Sequence, residues 1–140
     1  MTTPKLDHIG IAVEDLEASI EVYRNLGFEV ESIDDVPGFG VKVAFLPMES
    51  GNVELVQPVT DDSAMAKFLE KKGGGIHHLC FEVYDIRAEL KRLEAAGVQL
   101  VDKVPRHGAH GTLVAFLHPK STGGVLIELA QKDGSDKLSD

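Results

Sequence analysis

The sequence of 140 residues has no tryptophan, a single cysteine, and fewer basic than acidic residues, with 14 Lys and Arg against 23 Asp and Glu. A lone cysteine, Cys80, excludes an internal disulfide. The net charge of -9 argues against general binding to nucleic acids. No apolar run approaches the roughly 20 residues that cross a bilayer, and the first residues lack the layout of a signal peptide. These absences predict a cytoplasmic protein that binds neither membranes nor nucleic acids.

What the chain does contain is an internal repeat. Residues 7–13 recur 70 positions later as residues 77–83, so His8 aligns with His78, and further on Gly27 aligns with Gly97. The offset then becomes 71, where residues 43–46 return as 114–117 and Gln57 aligns with Glu128. A chain of this length, 43% hydrophobic, has enough apolar residues for one core but not for two independent ones. The repeat therefore predicts two halves of a single domain spanning residues 1–140.

Each half shows the same order of hydrophobic periods. Residues 6–13 alternate as in a half-buried strand, and Leu16, Ile20 and Tyr23 then share one face of a helix that Gly27 would end. Three further strands are predicted in each half, at 28–30, 41–46 and 53–57, and at 98–101, 112–117 and 125–130. The prediction is an α+β fold of two tandem βαβββ modules, which form a cupped mixed sheet around a metal site.

The predicted modules cover about residues 5–60 and 76–131 and are followed by a polar tail at 132–140. Between them, the run Asp61-Asp62-Ser63 can cap a short connector helix, within about 61–75, that carries Met65, Phe68 and Leu69. The triple glycine at 73–75 would end this helix. A phosphate-binding loop is the alternative for these glycines, but the Lys-Ser/Thr that follows such a loop is missing.

Four polar residues form the candidate metal site. His8 shares its strand face with the small residues Gly10 and Ala12, and His78 has the matching position in the second half. Gln57 and Glu128 each project from an otherwise apolar strand. A buried carboxylate without a partner is costly, which favours a bound cation. Two imidazoles and two oxygen groups suit cobalt, nickel, zinc, manganese or iron(II).

Taken singly, these residues have simpler interpretations. One strand histidine is more often hydrogen-bonded structure than a ligand, so the symmetric set of four carries the metal hypothesis. His77 should face away from His78 by strand alternation, which indicates a structural or supporting role. Three more histidines, His107, His110 and His118, lie in loop-like sequence; His110 could close over a ligand, although exposure to solvent is the simpler prediction. Cys80 is most simply a small buried residue that could line a cavity.

The motifs resemble those of the vicinal oxygen chelate superfamily and, within it, the methylmalonyl-CoA epimerase family, over nearly the whole chain. The stretches that carry the resemblance are LDHIGIAV at 6–13, ELVQP at 54–58, GIHHL at 75–79, FLHPK at 116–120 and GGVLIEL at 123–129. The first stretch alone would indicate only the superfamily. The combination of His-His, the FLHPK turn and the last stretch is much more specific, and it resembles the epimerases.

The resemblance implies that His8, Gln57, His78 and Glu128 bind a divalent metal ion, most often Co²⁺, with Mn²⁺, Ni²⁺ and Zn²⁺ as alternatives. It implies an isomerase of propionate metabolism that epimerises (2R)- and (2S)-methylmalonyl-CoA through a metal-stabilised enolate, and a homodimer. Glu128 could also act as a catalytic base. Some relatives carry a second glutamate where this chain has Val43, so the identity of the acid/base pair stays open. Lys120 is a candidate anchor for the substrate carboxylate or a CoA phosphate.

Three other functions use the same scaffold. A glyoxalase I-type lactoylglutathione lyase would share the metal site, although Gln57 in place of an acidic ligand weakly disfavours it. An extradiol dioxygenase would need iron(II) held by two histidines and one carboxylate. A non-catalytic binding module of the antibiotic-resistance type would lack the ligand set.

Overall fold

The computed structural model describes residues 4–133, and in this part of the chain there are eight β-strands and three α-helices. The strands and helices are, in chain order, β1 (Lys5–Ala12), α1 (Leu16–Asn25), β2 (Ser32–Val36), β3 (Val41–Pro47), β4 (Asn52–Pro58), α2 (Ala64–Lys72), β5 (Gly75–Glu82), α3 (Ile86–Ala95), β6 (Arg106–His107), β7 (Leu113–Leu117) and β8 (Ile127–Gln131). The α+β class and the two tandem βαβββ modules are confirmed. Most of the predicted tail, from residue 134 on, lies outside the described residues.

The chain divides into two compact units, and both divisions fall inside a strand. The first unit is His8–His78, and the second joins Met1–Asp7 to Leu79–Asp140. The first unit has the strand order β2-β3-β4-β1, in which β1 and β4 are parallel and the other neighbours antiparallel. The second has the order β5-β8-β7-β6 with the same pattern of directions.

Each unit has its own apolar core between one helix and one sheet face. In the first unit, Leu16 and Ile20 of α1 pack with Leu46 and Leu55, and both leucines are fully buried. In the second unit, Ile86 and Leu90 of α3 pack in the same way with a matching set from β7 and β8, namely Leu113, Ala115, Leu117 and Leu129. This apolar face of each sheet lies under its helix, so the residues that alternate with the core residues lie on the opposite face.

Local signals explain where the helices begin and end. The Asp15 and Asp85 side chains accept hydrogen bonds from the N–H groups of Ala18 and Ala88, which caps α1 and α3. Just beyond these helices, Gly27 and Gly97 have φ angles of 103° and 92°, as the predicted left-handed ends require. None of the described helices is both long and apolar enough to span a membrane.

Two predicted strands are wrong. Residues 28–30 are irregular, and the second strand of the first unit instead runs over Ser32–Val36. Residues 98–101 contain only an isolated bridge at Leu100, and the strand that pairs with β7 on the side away from β8 is the short strand Arg106–His107. A few apolar residues after a helix satisfy the strand pattern, whereas a strand also needs a neighbour in register to accept its backbone hydrogen bonds.

The strand registers also correct the alignment of the repeat near its end. Gly10 of β1 pairs with Glu54, and Cys80, 70 positions after Gly10, pairs with Glu128. The structural counterpart of Glu128 is therefore Glu54 and not Gln57. The offset has grown from 71 to 74, because Leu46 and Leu117 correspond at 71 but Val53 and Ile127, which pair with Ile9 and Leu79, correspond at 74. The turn between β7 and β8 accounts for the three extra residues.

Candidate metal centre

The two histidines singled out by the repeat meet in the first unit. The Nε2 atoms of His8 and His78 lie 3.0 Å apart, and the ring planes are nearly perpendicular, at 87°. Both side chains are buried. Imidazole nitrogens that face each other at this distance need either a proton between them or a shared cation, because two lone pairs repel. The arrangement provides two imidazole nitrogen donors at one point.

Glu54 is the acidic group beside this pair. Its Oε2 atom lies 2.8 Å from Nδ1 of His8, and both side chains are largely buried. The carboxylate therefore accepts the Nδ1 proton of His8, which leaves the lone pair of a neutral ring on Nε2. Histidines that bind metals commonly donate their other N–H to a carboxylate in this way. Glu54 was not among the predicted site residues, although it stands in the ELVQP stretch that carries the resemblance.

His78 has a partner on its other nitrogen as well. Its Nδ1 atom lies 2.8 Å from Nδ1 of His77, and the His77 ring stands edge-to-face against Phe68 of α2, with 4.8 Å between the ring centroids. A continuous line of contacts therefore runs from Glu54 through His8 and His78 to His77. The supporting role predicted for His77 has a specific geometric basis in this contact.

Gly10 provides the space for the His78 ring. A Cβ atom added to Gly10 would lie 2.1 Å from Cε1 of His78, far inside contact distance, and 2.5 Å from both of its ring nitrogens. Because the φ angle of Gly10 is not positive, any residue could adopt its backbone conformation. Glycine is needed here for room alone.

Gln57 does not face the imidazole pair. It lies three positions after Glu54 along β4, and because three is odd, their side chains lie on opposite faces. Its Oε1 atom accepts a hydrogen bond of 2.7 Å from the N–H of Leu16 at the start of α1. In the second unit, Oε1 of Gln131 accepts the matching hydrogen bond, of 3.0 Å, from the N–H of Ile86. Gln131 lies 74 positions after Gln57, so these two residues correspond at the same offset as Glu54 and Glu128. The two glutamines tie helix starts to the last strand of each module.

The other predicted site residues lie in the second unit. Glu128 is buried on β8, between Cys80 of β5 and Phe116 of β7 in the pairing, and on the face opposite the core residue Leu129. Lys120 is exposed in a short turn, and its backbone N–H donates to Nδ1 of His118. His110 is exposed, as predicted for a loop residue; His107 is exposed as well, but it lies in strand β6 and not in a loop, and Cys80 is buried.

Comparison with known proteins adds to this geometry. Residues 7–116 match the model of the glyoxalase/bleomycin resistance protein/dioxygenase superfamily. The chain is 48% identical to the ethylmalonyl-CoA/methylmalonyl-CoA epimerase of Cereibacter sphaeroides over 130 residues, which are 91% of this chain and 97% of that protein. It is 43% identical to the mitochondrial methylmalonyl-CoA epimerase of Dictyostelium discoideum, with 91% and 78% covered.

The chain belongs to this superfamily and, within it, to the methylmalonyl-CoA epimerase family. A solved structure of a methylmalonyl-CoA epimerase in complex with methylmalonyl-CoA and NH4+ superposes with a TM-score of 0.90 at 35% identity, with 98% of this chain and 100% of that chain covered. The family assigned from the motifs is thus confirmed by sequence and by structure.

Proposed function

We propose that this protein is a metal-dependent methylmalonyl-CoA epimerase, which interconverts the (2R) and (2S) forms of its acyl-CoA substrate. The observation that carries the proposal is the buried pair of imidazoles, His8 and His78, whose Nε2 atoms lie 3.0 Å apart. The relatives described above support the choice of substrate.

The donor set suits a divalent ion. The donors are two imidazole nitrogens, the buried Nε2 atoms of His8 and His78, and the buried carboxylate of Glu128. Imidazole and carboxylate ligands suit divalent transition-metal ions. Co²⁺ is our first choice, as the resemblance implies, with Mn²⁺, Ni²⁺ and Zn²⁺ as alternatives.

We assign His8, His78 and Glu128 as protein ligands and replace Gln57 by Glu54 as the polar group of the first module, in a positioning role, since Glu54 contacts Nδ1 of His8 and not the Nε2 atom that faces His78. The replacement is supported by the strand registers, in which Glu54 is the counterpart of Glu128. It is also supported by the hydrogen bond that engages the amide oxygen of Gln57 at the start of α1. Because Gln57 is no longer assigned as a ligand, it no longer weighs against a glyoxalase-type metal set.

Epimerisation removes the α-proton of the substrate and returns a proton to the opposite face of the carbon. When bound, a divalent cation supplies positive charge for the substrate's carboxylate and thioester oxygens and for the charge that develops on them. Glu128 is our candidate for moving a proton at one face, through its buried carboxylate. Val43 cannot serve at the other face, because its side chain has no titratable group. Lys120 is our candidate anchor for the substrate carboxylate or a CoA phosphate.

Exchange of the α-proton with solvent tests this function. Metal-replete protein in deuterated buffer is expected to incorporate deuterium at the α-carbon of methylmalonyl-CoA, and His78→Ala is expected to lose at least ~100-fold in rate, since it removes one of the two imidazoles. Lys67→Ala, on the exposed side of α2, serves as the control and should match the wild type. Absence of exchange in the metal-replete wild type contradicts the proposal. Formation of lactoylglutathione from the methylglyoxal adduct would instead support the lyase.

Two further proposals concern the cellular location and the oligomeric state of the protein. We propose a cytoplasmic location and a homodimeric state, as the sequence motifs and the resemblance suggested. Sedimentation equilibrium of the purified chain, with a monomer mass of 15.1 kDa, distinguishes a dimer from a monomer.

A further inference from the structure

We propose that His77 is a positioning residue, which fixes the tautomer and the ring orientation of His78 for metal binding and is itself held by Phe68 of the connector helix. This inference rests on the proposed function, because it assumes that the Nε2 atom of His78 binds the cation. It concerns a contact on the far side of the ligand ring, the 2.8 Å approach of the Nδ1 atoms of His77 and His78.

The positions of the protons on the imidazole rings limit what each ring can bind. A neutral imidazole has one N–H, so a ring that offers Nε2 to a cation must carry its proton on Nδ1. For His8 the acceptor of that proton is Glu54, at 2.8 Å. For His78 the group at the same distance is the Nδ1 atom of His77. Each imidazole of the pair therefore has a hydrogen-bonding group on the nitrogen that does not bind the metal.

An imidazole differs from a carboxylate at this position because it can either accept or donate. In the metal-free protein the 3.0 Å contact between the Nε2 atoms of His8 and His78 needs a proton. If His78 supplies it, His78 accepts at Nδ1 and His77 donates. When Nε2 of His78 is used for a cation, both rings take the other tautomer: His78 carries its proton on Nδ1 and His77 carries its own on Nε2, so His77 accepts at Nδ1 instead. His77 can thus support His78 in both states.

The connector helix holds His77 in place. The edge-to-face contact between Phe68 and His77 has an interplanar angle of 88°. The helix itself is anchored, because Ser63 caps its start, Met65 and Leu69 are buried, and Gly73 ends it in a left-handed conformation with φ of 78°. The position that matches His77 in the first half of the repeat is Asp7, so the first module has no imidazole there.

Three substitutions at position 77 separate positioning from simple packing. The Oδ1 and Nδ2 atoms of asparagine stand as many bonds from the backbone as Nδ1 of histidine, so His77→Asn can still accept or donate. His77→Leu has nearly the same size as the asparagine variant but makes no hydrogen bond. His77→Gln is polar, yet its amide lies one bond too far out. Affinity for Co²⁺ is measured by competition with a chelator, with the visible spectrum of the Co²⁺ protein as a second readout.

We expect His77→Leu and His77→Gln to lose 10- to 100-fold in Co²⁺ affinity and to change the spectrum, whereas His77→Asn stays within about threefold of the wild type. Phe68→Leu should lose about threefold. In the metal-free protein, ¹⁵N shifts should report a changed tautomer population of His78 in His77→Leu. Wild-type affinity in both His77→Leu and His77→Gln overturns the inference. If the wild type itself fails to bind Co²⁺, the proposed metal site is wrong and the inference falls with it, which is a distinct result.

Discussion

Gly10 shows how a residue without a side chain can determine the site. The His78 ring occupies the place where a Cβ atom would stand, so the smallest substitution at position 10 must displace an imidazole or a strand. By contrast, a Cβ atom added to Gly38 would meet nothing within 4 Å, and Gly38 has no positive φ angle. The two glycines therefore form a matched pair for an experiment.

We expect Gly10→Ala to lower Co²⁺ affinity and α-proton exchange at least ~10-fold, because a shift of the His78 ring disturbs the ligand geometry. Isothermal titration with Co²⁺ and the deuterium assay measure the two effects. Gly38→Ala is expected to match the wild type in both. Unchanged affinity in Gly10→Ala would mean that the ring can move aside at no cost to the site.

At the scale of the elements, the last strand of each module carries both a buried acid and a helix anchor. On β4 these are Glu54 and Gln57, and on β8 they are Glu128 and Gln131, three residues apart in each case. Because three is odd, the acid and the amide project from opposite faces of the strand. On each strand, one face is turned toward the helix and carries the amide, and the other face carries the carboxylate. The amide stabilises the fold, whereas the carboxylate is available to the candidate site.

This division of labour predicts opposite results for two substitutions on β4. Gln57→Ala leaves the N–H of Leu16 without its partner, so we expect the unfolding free energy to fall by about 1 kcal/mol while Co²⁺ affinity is unchanged. Glu54→Gln removes the charged acceptor at His8 and should lower Co²⁺ affinity at least ~10-fold. Urea unfolding of the metal-free protein and chelator competition give the two quantities. A loss of affinity in Gln57→Ala would restore the original ligand assignment.

For the molecule as a whole, a bound metal ion should raise the free energy of unfolding. A ligand that binds only the folded state stabilises it by about 2.7 kcal/mol at 100 times its dissociation constant. For a chain of this length that corresponds to a rise in Tm of roughly 5–10 °C. We expect such a rise for the wild type with Co²⁺ in a thermal scan, and none for the double variant His8→Ala, His78→Ala. Equal rises in both proteins would place the cation elsewhere, for example on the acidic surface implied by the net charge of -9.

Much of this architecture could be predicted because its causes are local. Strand alternation in residues 6–13, the caps at Asp15 and Asp85 and the glycines that end the helices are read within a few positions of the chain. The equivalence of His8 and His78 could also be predicted from the sequence, since the offset of 70 is exact in that part of the repeat. The two wrong strands, at 28–30 and 98–101, fail for the opposite reason, because a strand exists only where a neighbour pairs with it.

The sequence by itself determined that there are two modules, that each begins with a strand bearing a histidine, and that a capped helix connects them. Only the tertiary structure decided which oxygen group stands beside those histidines. Three extra residues in the turn before β8 change an offset of 71 to 74, and an odd shift exchanges the two faces of a strand, so Glu54 and not Gln57 corresponds to Glu128. The contact between His77 and His78 likewise depends on how their rings turn in space, which strand alternation does not determine.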